Sequence, residues 1–177
     1  MLNRLTRAIL IAFGLTGIVW LAVNFGALAG PVNAWNNENI RREWVQASGR
    51  WANAQIVNYD IDVDGQWGPG CLDLSSTLRV REGKITDVIL KGTDLMPFTI
   101  ALDKQTLCYA ERFTVTRILE HASFVLSSTD PSRVRLQISF DSNFGYVSVF
   151  RHECFNTNLG DCSYWLEFSN FKDLSSP

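Results

Sequence analysis

Histidine is nearly missing from this 177-residue chain: His121 and His152 are all it has, so a three-histidine metal centre is excluded at the outset. Lysine is scarce too, four against twelve arginines, and charged residues make up 19% of the chain. With a formal net charge of −2 and no basic run, the chain is not a strongly basic nucleic-acid binder. No two cysteines have the C-x2-C spacing of a zinc ribbon. Phosphate loops, dinucleotide fingerprints and the G-x-S-x-G elbow of a serine hydrolase are all absent. Neither an internal repeat nor a low-complexity linker divides the chain. A hydrophobic share of 46% excludes a disordered chain, and a single long apolar run excludes a multi-span membrane protein.

That run is at the N-terminus. The first 34 residues hold 22 hydrophobic residues and two charges, Arg4 and Arg7. From Ala8 to Ala29 no residue is charged, and at about 1.5 Å per helical residue this stretch crosses a hydrocarbon core of roughly 30 Å. Arginines before it and none after it until Arg41 predict a cytoplasmic N-terminus with the remainder outside. Two readings follow. The length of the run and the bulky Trp20 favour an uncleaved single-pass anchor in the cell membrane. The alternative is secretion after cleavage near Ala29 or Ala34, where Ala27-Leu28-Ala29 and Val32-Asn33-Ala34 offer small-x-small sites. No cysteine near its end would make a lipoprotein. The chain thus divides into residues 1–34, anchor or signal peptide, and 35–177, an extracytoplasmic domain large enough for one real core.

Cys71, Cys108, Cys154 and Cys162 all follow the leader, and an even count in an oxidising compartment reads as disulfides. Three pairings exist. Cys154–Cys162 is favoured because residues 155–161 look like a loop between two strands, which a bond at its base would pin. Cys71–Cys108 then follows by elimination, and four free buried thiols are the alternative.

The expected architecture is α+β: an antiparallel sheet of five to six strands, two helices on one face, and an N-terminal hydrophobic helix before them. Ile40, Trp44, Ala47, Trp51 and Ala54 mark one face of a helix over Glu38–Ala54, capped by Asn36 or Asn37, with a kink expected at Gly49. Alternation predicts strands at Val57–Asp64, Thr77–Arg81 and Lys84–Leu90, the last two joined at Glu82-Gly83. After an ambiguous stretch from Gly92 to Arg112, Thr114 caps a second helix running to about Ser127. Its buried stripe is Val115, Ile118, Leu119, Ala122, Val125 and Leu126. Strands at Arg133–Phe140, Tyr146–Arg151 and Ser163–Phe171 complete the domain.

Candidate chemistry is thin. Asp60, Asp62 and Asp64 imitate the start of a calcium loop, but its twelfth position is Cys71 where a glutamate is needed, so they read as the wet face of a strand. Asp141-Ser142-Asn143 before Gly145 reads as a turn. His121 is expected near the surface of its helix. His152 stands two residues from Cys154, sharing a strand face without necessarily touching it, and a bonded Cys154 is no nucleophile. No catalytic residue, metal ligand or cofactor is therefore expected. Arg79 with Arg81, and Arg133 with Arg135, would form a guanidinium stripe for an anionic glycan or lipid headgroup if their faces coincide. Cross-strand pairing with Asp60, Asp62, Asp64 and Asp87 explains them equally well. Trp67, in the loop Gln66-Trp67-Gly68-Pro69-Gly70, is the most binding-like residue.

Trp51 followed by Tyr59-Asp60, the run Val80-Arg81-Glu82-Gly83-Lys84-Ile85, and Phe113-Thr114-Val115 leading into Ile118-Leu119 make a pattern. It continues with Phe140-Asp141, Phe144-Gly145-Tyr146, Asp161 before Tyr164, and Phe168-x-x-Phe171. Over residues 44–174 this resembles the bacterial family called domain of unknown function 6174. The resemblance implies a short exported or anchored protein with no assigned activity. Val147 stands where members usually have proline, and Cys71 stands alone where members tend to have paired cysteines, so no pairing and no site residue carries over. The expectation is a non-enzymatic, membrane-anchored interaction or envelope-associated domain. The alternative is a secreted glycan- or small-ligand-binding protein. Partners would be the membrane, through the N-terminal helix, and an envelope protein or glycan, not nucleic acid.

Overall fold

The computed structural model describes residues 29–66, 74–91, 111–155 and 162–175. Beyond Ala29 itself, the uncharged leader lies outside them, as do Trp67, Cys71 and Cys108. Among the described residues no helix is long and apolar enough to cross a membrane.

Helix α1 spans Ala29–Ala54, and the strands β1 (Tyr59–Gln66), β2 (Leu74–Arg81) and β3 (Lys84–Leu90) follow it as a meander. A 3-10 turn at Glu111–Phe113 leads into α2 (Val115–Ser128). A second meander closes the fold: β4 (Val134–Phe140), β5 (Val147–Cys154) and β6 (Tyr164–Asp173). The six strands form one sheet in the order β3-β2-β1-β6-β5-β4, with every pairing antiparallel. The class is α+β, as the patterning predicts.

Alternation sorts each strand. Ile61, Val63, Leu78, Val80, Leu136, Phe150, Leu166 and Phe168 point into one buried cluster with residues of both helices. The residues between them face outward and carry the charge. All six residues of the predicted α2 stripe are buried, and the Thr114 side chain accepts from the Arg117 amide. α1 and α2 run antiparallel, stitched by indole donors: Trp44 Nε1 donates to the Leu119 carbonyl at 2.9 Å, and Trp51 Nε1 to Thr116 Oγ1 at 3.3 Å. The Tyr59 hydroxyl accepts from the Val115 amide at 3.0 Å, satisfying one of the donors that a helix start leaves unpaired. Burial pushes that phenol up to about 12, against the pull of this hydrogen bond.

Two helix expectations need correction. α1 begins nine residues before Glu38, so the boundary drawn at residue 34 falls inside it. The early start rests on distant partners. Asn33 Nδ2 donates to the Pro131 carbonyl at 3.0 Å and Asn36 Nδ2 to the Leu136 carbonyl at 2.9 Å. Asn36 and Asn37 therefore lie within the helix and do not cap it.

Candidate functional site

On the sheet face away from the helices, charges alternate in sign across the strands. Arg79 lies 3.9 Å from Asp87, Arg81 2.9 Å from Asp60, Arg135 3.6 Å from Glu153 and Arg151 2.6 Å from Glu167. Asp62, buried at the centre of this face, pairs with Lys91 and accepts from Thr77 at 2.6 Å and Asn170 at 2.7 Å. Burial alone would raise its pKa, but these hydrogen bonds and the Lys91 charge hold the carboxyl below its usual range. Asp64 accepts from Ser75 at 2.7 Å. The three aspartates of the calcium-like run thus sit on a paired strand, each with its own protein partner.

The four arginines do not gather. Arg79 and Arg81 are on β2 and Arg135 is on β4, four strand spacings away, or about 19 Å. Arg133 sits on the turn before β4, 3.6 Å from Asp130. An anion at any of them competes with a carboxylate already in place.

The described residues gather differently where α2 crosses the end of the β5–β6 ladder. β5 presents Phe150, His152 and Cys154 on alternate positions, and β6 sets Tyr164 opposite His152. The His152 ring stacks on Tyr164 with centroids 4.7 Å apart and planes at 11°, and Phe150 lies nearly parallel to Tyr164 at 5.7 Å. From α2, His121 Nε2 shares a 2.9 Å hydrogen bond with the Tyr164 hydroxyl, and its ring lies 5.3 Å from that of Phe150. Cys154 Sγ is 3.7 Å from His152 Nδ1. Cys154 and Cys162 form the favoured disulfide, with Cα atoms 5.9 Å apart, and the Cys154 amide donates to Ser163 Oγ at 3.2 Å. A cleft of about 410 Å³ opens beside the cluster, lined in part by His152, Tyr164, Trp165, Arg151 and Gln66.

His121 therefore departs from its expected surface position. It is half-buried, and its partner Tyr164 lies 43 residues away in sequence. His152 and Cys154 not only share a face but touch. His152, Cys154 and Cys162 bring their ligand atoms within 4.8 Å of one another, a convergence that no metal-binding spacing announces because it depends on the pairing of β5 with β6 and on the disulfide.

Burial pushes the His121 imidazolium down to about 4, aided by the positive charges of His152 and Arg112. Burial lowers His152 as well, against hydrogen bonds to the backbone of Cys162 and of His152 itself, and raises the Tyr164 phenol. Both imidazoles are thus neutral at neutral pH. The unfolded chain takes up the His121 proton first, near 6.5, so the stability this residue contributes is complete above that pH and is lost as pH falls towards 4. Melting temperature should drop across this window, with His152 adding to the slope, and His121→Gln should make the drop shallower. An unaltered slope in the variant would place the acid sensitivity elsewhere.

No family model, curated protein or solved structure matches the chain.

Proposed function

We propose that the chain is a membrane-tethered extracytoplasmic domain that acts without catalysis, as an interaction or envelope-associated module. The observation that carries this reading is the Cys154–Cys162 disulfide, a bond that persists in oxidising compartments and is rare in reducing ones. The uncharged run from Ala8 to Ala29, preceded by Arg4 and Arg7, supplies the tether. Val32 and Trp35, in the first two turns of α1, are 61% and 71% exposed, which suits side chains lying at headgroup level beside such an anchor.

Kinship with domain of unknown function 6174 belongs to the same proposal. Its support is that the quoted residues act together: Trp51, Tyr59, Phe144 and Tyr146 all pack around Phe171, with ring centroids 5.1–5.9 Å from it.

The test is fractionation combined with protease protection. The intact chain should stay with membranes through carbonate extraction, and the domain should be digested only by protease added outside the membrane. Digestion from the cytoplasmic side would overturn the reading.

A second reading, a secreted glycan- or small-ligand-binding protein, is favoured by the cleft. Gln66, the last residue of β1, lines it together with Arg151 and the 39% exposed indole of Trp165. An aromatic face flanked by hydrogen-bonding groups is a usual sugar platform. Release of a chain starting at Gly30 or Trp35, with tryptophan fluorescence that responds to a glycan and is lost in Trp67→Ala, would favour it over the tethered module.

A further inference from the structure

The Cys154–Cys162 disulfide has an imidazole beside it that also hydrogen-bonds to the Cys162 backbone. His152 Nδ1 sits 3.7 Å from Cys154 Sγ, its ring plane fixed by the face of Tyr164, which His121 holds in turn. In a tetrahedral zinc centre, with Zn–S near 2.3 Å and Zn–N near 2.0–2.1 Å, neighbouring ligand atoms lie roughly 3.5–3.8 Å apart. One edge of that tetrahedron is already at length. Separating the two sulfurs by about 2 Å, which opening the disulfide permits, brings the second edge to length.

We infer that His152, Cys154 and Cys162 form a three-ligand site for a thiophilic d10 cation, zinc or copper(I), whenever the disulfide is open. The reductant is a dithiol. It attacks one sulfur and transfers two electrons and two protons to the pair, and it leaves as its own disulfide. Metal binding then releases both thiol protons to solvent, leaving two thiolates and a neutral imidazole on the cation. With zinc the centre carries no net charge, which suits its half-buried place. Among the described residues no fourth His, Cys, Asp or Glu joins the group. The stacking of Tyr164 makes it a positioning residue, orienting the imidazole as outer partners of metal ligands do. The same two sulfurs thus serve as a staple in one redox state and as ligands in the other, wherever the chain resides.

The test uses the full chain, reduced anaerobically and titrated with zinc or with copper(I) against a chromophoric competitor. One equivalent should bind to the reduced chain and none to the oxidised chain. His152→Ala should weaken binding at least tenfold, and the double variant Cys154→Ser with Cys162→Ser should abolish it. Tighter retention of one metal over the other names the cation. Binding of equal strength in His152→Ala would reduce the site to a plain dithiol, and binding retained in the double variant would assign the metal to Cys71 and Cys108. Either result overturns the inference. A readout that needs no variant is alkylation of the reduced wild-type chain with zinc present. Cys154 and Cys162 should be shielded while Cys71 and Cys108 react, and equal labelling of all four would also overturn it.

Discussion

Replacing Gly145 with alanine is expected to cost about 3 kcal/mol of folding stability, which for a domain of this size lowers the melting temperature by roughly 10 °C. Two causes act together. Gly145 has φ +83°, a backbone conformation that L side chains rarely adopt, and a Cβ there would stand 2.1 Å from the Ala47 carbonyl oxygen and 2.9 Å from its carbon. The obstacle is helix backbone, so no rotamer change relieves it. Either α1 or the β4–β5 turn must move. Gly83 separates the causes. It has φ +74° with nothing within 4 Å of an added Cβ, so Gly83→Ala should cost only the conformational penalty, about 1 kcal/mol. Urea unfolding of the two variants decides the point, since equal losses would show that the approach to Ala47 carries no weight.

Trp51→Ala is expected to cost a further-reaching 3–5 kcal/mol, the usual range for removing a buried indole. Trp51 meets Tyr59 edge-on at 5.6 Å and Phe171 at 5.9 Å, and it donates to Thr116 on α2. Its removal opens a cavity against Tyr59, whose hydroxyl holds the first amide of α2. Amide exchange at Val115 should therefore rise along with the loss of stability. Trp51→Phe keeps most of the buried area and loses the Thr116 hydrogen bond, so it should cost well under half as much. A similar loss in both variants would mean that the hydrogen bond, rather than the packing, holds α1 to α2.

The parts of this fold that were legible in the sequence are those set by neighbours along the chain. Helical period picked out Val115 through Leu126, and Glu82-Gly83 announced a turn in which both residues take positive φ. What local pattern did not carry depends on contacts made across long separations. The first turns of α1 are rich in asparagine, a weak helix former, and gain their order from carbonyls about a hundred residues away. β5 runs three residues past Arg151 to Cys154 along its pairing with β4, and β6 reaches Asp173 along its pairing with β1. The Asn170 bulge near the end of β6 falls beside the Asp60/Asp62 register shift with β1. The candidate site was half visible. The His152–Cys154 spacing stood in the sequence, but Tyr164 and His121 reach it only through the pairing of β5 with β6 and the crossing of α2.

The asparagines of α1 also govern what the outermost strand can do. β4 ends the sheet, and an end strand ordinarily offers its carbonyls to any extended peptide that arrives. Asn36 occupies the Leu136 carbonyl, and Asn33 occupies that of Pro131 while lying 3.5 Å from that of Val134, so a helix stands in for the missing neighbour. A strand adding at the start of β4 would have to displace these contacts. Under the alternative of a secreted chain, a cut after Ala29 would leave both asparagines in place, whereas a cut after Ala34 would remove Asn33 and its contacts with the Pro131 and Val134 carbonyls.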